Sequence, residues 1–224
     1  MKRLAQILDR LERRYGKLAP IGPTDPYGLV VFLNCGYPAS DENCLEGFTA
    51  LQTDIGTSAP QILAAPQARL AKCLKRGGIF PELRAKRLKQ IATIVQQDFA
   101  GDLKIVLKQP VPVAKKTLKR FPTIGDPGAE RILLFSAAAA LPAVPANCLQ
   151  VPLRLGFGEP AKSFAASYRS VQQALAAELP AQCAGIVRAY LLFRRHAQEL
   201  CKRATPSCSQ CPLVTLCTYT GVRR

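Results

Sequence analysis

The sequence lacks any long apolar stretch. Its longest nearly apolar run, Ile132 to Val144, is shorter than the about 20 residues that a membrane-spanning helix needs, so it predicts a buried helix and not a span. The first 14 residues also lack the unbroken apolar core of a secretion signal, because charged residues interrupt their apolar positions. We therefore predict an amphipathic first helix and a cytoplasmic protein.

Acidic residues are scarce. The chain has 15 Asp and Glu against 31 Lys and Arg, which gives a net charge of +16. A compact protein with that surplus repels itself, and the field is suited to attracting a polyanion. Nucleic acid is the leading partner, and a merely solvated basic surface is the alternative.

Alternating apolar and polar residues are also scarce, whereas helical spacing recurs between the Pro and Gly residues. Hydrophobic residues make up 48% of 224 residues, enough for a substantial core. The patterns predict an all-α protein. The predicted helices are Lys2–Tyr15, Tyr27–Asn34, Glu42–Gly56, Pro60–Leu74, Glu82–Phe99, Val113–Phe121, Pro127–Ala140, Ser163–Leu179 and Ala181–Cys201.

Four of the nine cysteines lie close together near the C-terminus. Cys201, Cys208, Cys211 and Cys217 follow the spacing Cys-x6-Cys-x2-Cys-x5-Cys. Four thiolates in so short a segment can converge on one centre, which suits zinc or an iron–sulfur cluster. The spacing alone leaves both metals open.

The stretch from Cys201 to Cys217 resembles the iron–sulfur loop of the endonuclease III branch of the helix-hairpin-helix DNA glycosylase superfamily. Three further segments follow the order and spacing of that family. They are Asp25-Pro-Tyr-Gly-Leu-Val-Val-Phe-Leu-Asn34, Gly78-Ile-Phe-Pro-Glu-Leu-Arg-Ala-Lys-Arg-Leu88 and Arg120-Phe-Pro-Thr-Ile-Gly125. The resemblance therefore covers essentially the whole chain.

The resemblance implies two helical domains with a DNA-binding cleft between them. One domain would comprise residues 23–140, with the hairpin at about 113–135, and the other residues 1–22 plus 141–224, with the cluster loop at 201–217. It implies that the four cysteines hold a [4Fe-4S] cluster and that Lys202 and Arg203 contact DNA phosphates. The remaining cysteines, Cys35, Cys44, Cys73, Cys148 and Cys183, are interpreted as small buried side chains.

The segment from Lys115 to Leu134 resembles the helix-hairpin-helix of the family. Two helices joined by a tight turn would aim backbone N–H groups at a phosphate, although an ordinary helix–helix connection is the alternative. Thr123 replaces the first glycine of the usual Leu-Pro-Gly-Val-Gly, which would place the turn slightly farther from the phosphate. The resemblance assigns DNA contacts to Pro122, Thr123, Ile124, Gly125 and Gly128. Tyr37 is a further candidate, either stacking in the gap left by a flipped base or packing in its loop.

Both catalytic positions of the family hold proline. Its lysine nucleophile corresponds to Pro127 and its aspartate to Pro145. Proline can neither attack a sugar nor exchange a proton, and it is well placed to begin a helix, with Asp126 and Asn147 expected as the caps of those helices. The single histidine, His196, is interpreted as a packing or hydrogen-bonding residue.

Three hypotheses remain. The first is an endonuclease III-like iron–sulfur protein of the base-excision repair type that binds double-stranded or damaged DNA without glycosylase or AP-lyase chemistry. The second is an active DNA glycosylase with displaced catalytic groups. The third is an iron–sulfur redox or structural protein with no DNA role, which the charge and the hairpin disfavour.

Overall fold

A computed structural model describes residues 3–219 and confirms an all-α protein. The helices are α1 (Arg3–Tyr15), α2 (Pro26–Cys35), α3 (Asp41–Asp54), α4 (Ala59–Ala64), α5 (Gln67–Leu74), α6 (Pro81–Phe99), α7 (Val111–Leu118), α8 (Asp126–Phe135), α9 (Gln150–Arg154), α10 (Phe164–Ala176) and α11 (Cys183–Glu199). No strand forms within residues 3–219, where an isolated bridge joins Tyr37 to Gly78. Lys2, predicted to begin the first helix, and the basic tail at 221–224 lie outside the described residues.

The chain divides into two compact units. One comprises Met1–Pro20 and Ala140–Arg224 and is called the cysteine unit here, and the other comprises Ile21–Ala139 and is called the hairpin unit. Among the described helices, none is long and apolar enough to cross a membrane.

The core of the cysteine unit forms between the first helix and the C-terminal half of the chain. Helix α1 buries one face on α11, since its apolar residues recur every three to four positions. The buried residues of α1 are Leu4, Ile7, Leu8 and Leu11. Leu192 and Phe193 of α11 and Val171 and Leu175 of α10 join the same cluster. The N-terminal helix thus completes a core whose other members lie more than 130 residues away.

The hairpin unit is built around α2, which is buried over most of its length. Leu29, Val30, Val31 and Phe32 are all 0–1% exposed, so α2 packs on every side. Asp25 caps this helix, because its carboxylate accepts the Gly28 N–H at 2.8 Å. Helices α3, α6 and α8 lie against α2.

The predicted helix 60–74 is wrong, because the chain breaks there into α4 and α5. Pro66 disfavours helical geometry at Ala65, which is extended at φ −66° and ψ 137°. Lys89 then donates its ammonium hydrogens to the carbonyls of Leu63 and Ala65, which satisfies the end of α4.

The predicted helix 127–140 ends early, and the apolar run 132–144 is therefore not one buried helix. Ala137 adopts the left-handed conformation at φ 53°, and the N–H groups of Ala137 and Ala138 bond back to Leu134 and Leu133. These two hydrogen bonds form the Schellman stop that usually has glycine. Beyond it the chain runs without regular structure to Pro145.

Two further helical segments lie outside the predicted helices. A 3₁₀ helix covers Leu103–Lys108, and the short helix α9 follows a 3₁₀ turn at Ala146–Cys148. Segments this short carry too few residues for helical periodicity to emerge from the sequence.

Candidate cysteine site and hairpin

The four C-terminal cysteines line one pocket. Cys201 lies two residues after the end of α11, Cys208 begins a 3₁₀ turn that Cys211 follows, and Cys217 follows a second one. Val151, Leu155 and Leu200 line the same pocket. The fold therefore brings together the four cysteines that the spacing predicted to form one site.

Among the described residues, no three His, Cys, Asp or Glu side chains form a group that could hold one metal ion. The four cysteines that line the pocket are nevertheless the donor set that thiolate-bound zinc and iron–sulfur centres use.

Burial affects two of the four thiols directly. Burial raises the pKa of Cys201, which the neighbouring Arg154 guanidinium partly opposes. Burial likewise raises the pKa of Cys211, against a hydrogen bond from the Leu213 N–H. In both cases the nearby cysteines add to the rise, because thiolates crowded into one pocket repel one another. A bound cation would remove this penalty.

Arg154 organises the segment that carries the cysteines. Its guanidinium donates to the carbonyls of Lys202 and Arg203, both at 2.8 Å, and lies 3.4 Å from the Cys201 sulfur. The Arg154 carbonyl accepts the Thr218 N–H at 3.1 Å. One residue of α9 therefore holds both ends of the cysteine segment, a role that sequence reasoning missed.

Helix α1 holds the same segment from another side. Arg3 donates to the Leu216 carbonyl at 2.8 Å, and Arg10 donates to the Thr215 hydroxyl at 2.8 Å. Only Leu213 is buried among residues 201–219, so hydrogen bonds carry much of the attachment that an apolar core provides elsewhere.

His196 lies beside the pocket and is 2% exposed. Its Nδ1 is 3.0 Å from the Tyr15 hydroxyl and its Nε2 is 3.6 Å from the Cys211 sulfur. Burial lowers the pKa of His196 to about 4, and the nearby Arg14 adds to the effect, so the ring is neutral at pH 7. The expected packing and hydrogen-bonding role is what the structure shows.

The hairpin turn keeps a left-handed residue even without glycine. Thr123 has φ 65°, a conformation that β-branched residues rarely adopt and that costs roughly 1–3 kcal/mol. The turn joins α7 to α8, with Ile124 buried and Gly125 exposed. The substitution therefore changes the side chain at the tip of the turn while the left-handed backbone remains.

Asn34 holds the strained turn in place. Its side-chain amide, 3% exposed, donates to the Pro122 carbonyl at 3.2 Å and to the Val30 carbonyl at 3.0 Å. Its oxygen accepts the Thr123 hydroxyl at 3.1 Å. The hydroxyl of Thr123 thus forms a hydrogen bond that glycine cannot make, which offsets part of the strain.

The predicted cap at the start of α8 is wrong. Gly125 occupies the cap position, Asp126 is the first helical residue, and no side chain caps the helix. The Asp126 carboxylate instead accepts from the Lys119 ammonium at 3.1 Å and lies 3.6 Å from that of Lys115. The hydrogen bond from Lys119 lowers the pKa of Asp126, with both lysine charges adding to the effect. Lys115 also pairs with the buried Glu130.

Pro127 and Pro145, which the resemblance aligns with the family's catalytic residues, lie at helix starts. Pro127 is in the first turn of α8 and is half-buried, next to Gly128, which is also half-buried. Pro145 is buried and precedes the 3₁₀ turn at Ala146–Cys148. The expected cap from Asn147 is absent, because its side chain accepts from the Cys148 thiol instead.

Tyr37 is 45% exposed and forms part of an apolar surface that sequence reasoning missed. Its ring lies 5.7 Å from that of Phe80, and Ile79, Phe80 and Leu83 are 45–57% exposed. Phe80 is left-handed at φ 57°. The sequence signal for this surface was the apolar pair Ile79-Phe80. The pair stands between Gly78 and Pro81, where neither apolar side chain has to be buried.

A buried arginine fixes the backbone beneath this surface. Arg84, 1% exposed, donates to the carbonyls of Cys35 at 2.5 Å, Gly78 at 2.6 Å and Ile79 at 3.0 Å. The bridge between Tyr37 and Gly78 lies in the same region. Hydrogen bonds from Arg84 thus fix the backbone next to the exposed rings.

The remaining candidate residues are Lys202, Arg203 and the five cysteines outside the pocket. Lys202 and Arg203 are both exposed, and their carbonyls are held by Arg154. Of the other cysteines, four are buried as predicted, whereas Cys183 is only half-buried because it begins α11.

Comparison with solved structures defines the class. The chain has the fold of a trapped endonuclease III–DNA covalent intermediate, with a TM-score of 0.73 and 18% identity over 97% of each chain. A thermostable thymine-DNA glycosylase gives a TM-score of 0.73 and 18% identity, covering 98% of this chain and 95% of the other. The protein is therefore an all-α protein with the endonuclease III fold.

A sequence relative agrees with this fold. The chain is 25% identical to endonuclease III of Bacillus subtilis (strain 168) over 157 residues, 69% of this chain. The matched region spans 64% of that relative's length. No protein-family model matches the chain. The resemblance to endonuclease III predicted from the sequence is confirmed.

Proposed function

We propose that this protein is an iron–sulfur DNA-binding protein of the base-excision repair type that lacks the usual glycosylase and AP-lyase chemistry. The observation that carries the proposal is the combination of an endonuclease III fold with prolines at both family catalytic positions, Pro127 and Pro145. A proposed location with the chromosomal DNA follows from this function.

The cofactor we propose is a [4Fe-4S] cluster on Cys201, Cys208, Cys211 and Cys217. The four cysteine side chains that line one pocket support this assignment. Cysteine thiolates are the ligands such clusters require. The bound cluster would tie four points of a weakly buried segment together and stabilise the loop that presents Lys202 and Arg203.

The DNA contacts we propose lie on both units. In the hairpin unit, the uncapped start of α8 supports phosphate binding through backbone N–H groups near Ile124, Gly125 and Gly128. Pro122 and Thr123, which precede these residues in the turn, complete the proposed contact surface. In the cysteine unit, the exposed Lys202 and Arg203 would contact phosphates without reading sequence.

Tyr37 is proposed to contact a base. Its exposure and its neighbouring Phe80 ring support stacking, since an aromatic face binds any base with little sequence preference. Because Arg84 already fixes the backbone, ordering this surface on binding costs less conformational entropy.

The chemistry we propose to be absent needs two groups. An AP lyase needs an amine nucleophile, and base removal needs a carboxylate that stabilises the developing positive charge on the sugar. Proline supplies neither group at position 127 or 145. The carboxylate of Asp126 is engaged by Lys119, so it does not replace the missing aspartate in this conformation.

The decisive experiment is an oligonucleotide panel that scores binding and cleavage separately. The panel carries oxidised pyrimidines, uracil, mismatches, alkylated bases and abasic sites, and borohydride is added to trap any Schiff base. We expect binding without a trapped complex and at most weak abasic-site cleavage. Robust trapping that is lost when one particular lysine is changed would establish an active enzyme with a displaced nucleophile and overturn the proposal.

Two substitutions sharpen this test. Pro127→Lys alone should not create an efficient enzyme, because position 145 still lacks a carboxylate. The double variant with Pro145→Asp tests whether both family groups together restore activity. Each variant is compared by thermal unfolding with the unmodified chain, since removing prolines from helix starts also raises the entropy of the unfolded chain.

A further inference from the structure

Three side chains form a continuous polar chain into the cysteine pocket. Tyr15 ends α1, His196 lies in the last turn of α11, and Cys211 is one of the four pocket thiols. The Tyr15 hydroxyl is 3.0 Å from His196 Nδ1, and His196 Nε2 is 3.6 Å from the Cys211 sulfur. The two rings are tilted at 54°, with centroids 6.1 Å apart.

The imidazole ring at this position can carry a hydrogen on either nitrogen. With the hydrogen on Nδ1, the ring donates to Tyr15 and turns the Nε2 lone pair toward Cys211. With the hydrogen on Nε2, Tyr15 donates to Nδ1 and the ring donates to the sulfur. A thiolate bound to iron has no hydrogen to offer and is an acceptor, so only the second tautomer is favourable when a cluster is bound.

Cys211 already accepts one hydrogen bond from protein. The Leu213 N–H lies 3.4 Å from its sulfur. Cys201 has the Arg154 guanidinium at 3.4 Å, whereas the Cys217 thiol points at the Arg154 carbonyl at 3.1 Å. An Nε2–H donor from His196 would give Cys211 a second donor.

We propose that His196, oriented by Tyr15, is a positioning residue that donates a hydrogen bond to the Cys211 ligand and raises the reduction potential of the cluster. This inference rests on the proposed [4Fe-4S] cofactor. Hydrogen bonds to a ligand sulfur draw electron density away from it and stabilise the more reduced, more negatively charged cluster. His196 would therefore control how readily the cluster gains or loses an electron, and the family resemblance does not assign this role.

The test measures the reduction potential of the iron-loaded full chain by protein-film voltammetry. His196→Leu removes the donor and keeps an apolar side chain, and we expect its potential to fall. A tenfold change in the redox equilibrium corresponds to about 59 mV for a one-electron couple. His196→Gln, whose amide nitrogen can donate from nearly the same place, should recover most of the shift. Tyr15→Phe should give a smaller fall, because the favourable tautomer is no longer enforced.

The outcomes separate this inference from the proposed cofactor. Iron content and visible absorption are measured first, and a colourless, zinc-containing chain would overturn the cofactor and the inference together. An iron-loaded chain with equal potentials in all variants would overturn only the role of His196. If His196→Leu does not load iron, Tyr15→Phe decides the matter, since an unchanged potential in that variant would overturn the tautomer argument and with it the proposal.

Discussion

The hairpin unit and residues 201–219 of the cysteine unit are stabilised by different interactions. In the hairpin unit a fully buried α2 is surrounded by other helices, and even its strained turn is secured by a buried side chain, Asn34. In the cysteine unit, residues 201–219 contain a single buried residue, Leu213, and are attached by arginine hydrogen bonds. Packing stabilises one region, whereas the other relies on polar contacts and, in our proposal, on a cluster.

The units also differ in charge. The cysteine unit contains 16 basic and 5 acidic residues, a surplus of 11 positive charges, whereas the hairpin unit contains 15 and 10, a surplus of 5. Much of the hairpin's local charge is also paired internally, through Lys115, Lys119 and Arg120. In the proposed DNA-binding function, the cysteine unit would supply most of the long-range attraction to DNA and the hairpin unit would bind a phosphate at a fixed position.

The largest effect should come from breaking the cysteine site. Cys211→Ser should abolish bound iron and its visible absorption, because a hydroxyl is a poor replacement for a thiolate ligand. Limited proteolysis should then cut within 201–219 while the hairpin unit resists. Cys183→Ser, at a half-buried cysteine outside the pocket, is the control and should retain iron. Iron binding unchanged in Cys211→Ser would contradict the assigned ligands.

The next effect concerns the hairpin turn. Asn34→Ala removes three hydrogen bonds around a strained residue and should lower the free energy of unfolding of the hairpin unit by about 1–3 kcal/mol. DNA affinity should fall with it, while the visible absorption of the cluster should not change. Asn43→Ala, which loses one exposed hydrogen bond to the Pro38 carbonyl, is the matched control. Equal losses in both variants would refute a special role for Asn34.

A smaller effect is expected from the charges of the cysteine unit. Changing Lys202 and Arg203 together to Gln should weaken binding to every sequence about tenfold and reduce the salt dependence of log K by about 2. The control changes Lys104 and Lys108 to Gln, which alters net charge equally at exposed positions of the other unit. A titration of fluorescent duplex at several salt concentrations measures both. If the two double variants behaved alike, general charge and not a phosphate contact would account for binding.

The smallest effect should come from Asp126. Its carboxylate places a negative charge at the helix start where a phosphate would bind, so Asp126→Asn should tighten DNA binding a few-fold, consistent with about 0.3–1 kcal/mol for a charge at a helix end. The control is Glu46→Gln, which removes one negative charge from the exposed surface of α3 and leaves Asp126 unchanged. Weaker binding by Asp126→Asn would show that the carboxylate serves mainly to orient Lys119.

Acid should act on the same residue. Because the pKa of Asp126 is lowered in the folded protein, its ion pair with Lys119 stabilises the hairpin above the ordinary carboxyl pKa. That contribution is lost as the pH falls through the lowered value. The acid dependence of unfolding should therefore flatten slightly in Asp126→Asn.

The sequence by itself determined the helical class and the cysteine set, because these follow from local periodicity and spacing. It did not determine where α8 ends, since the stop at Ala137 uses a residue that favours helices, nor the partner of Asp126, which lies seven residues away across the hairpin turn. Tertiary structure alone decided the roles of Arg154, His196 and Asn34. Each of these side chains forms at least one hydrogen bond to a group between 15 and 181 residues distant, and no pattern within a local window of sequence encodes a pairing over such a separation.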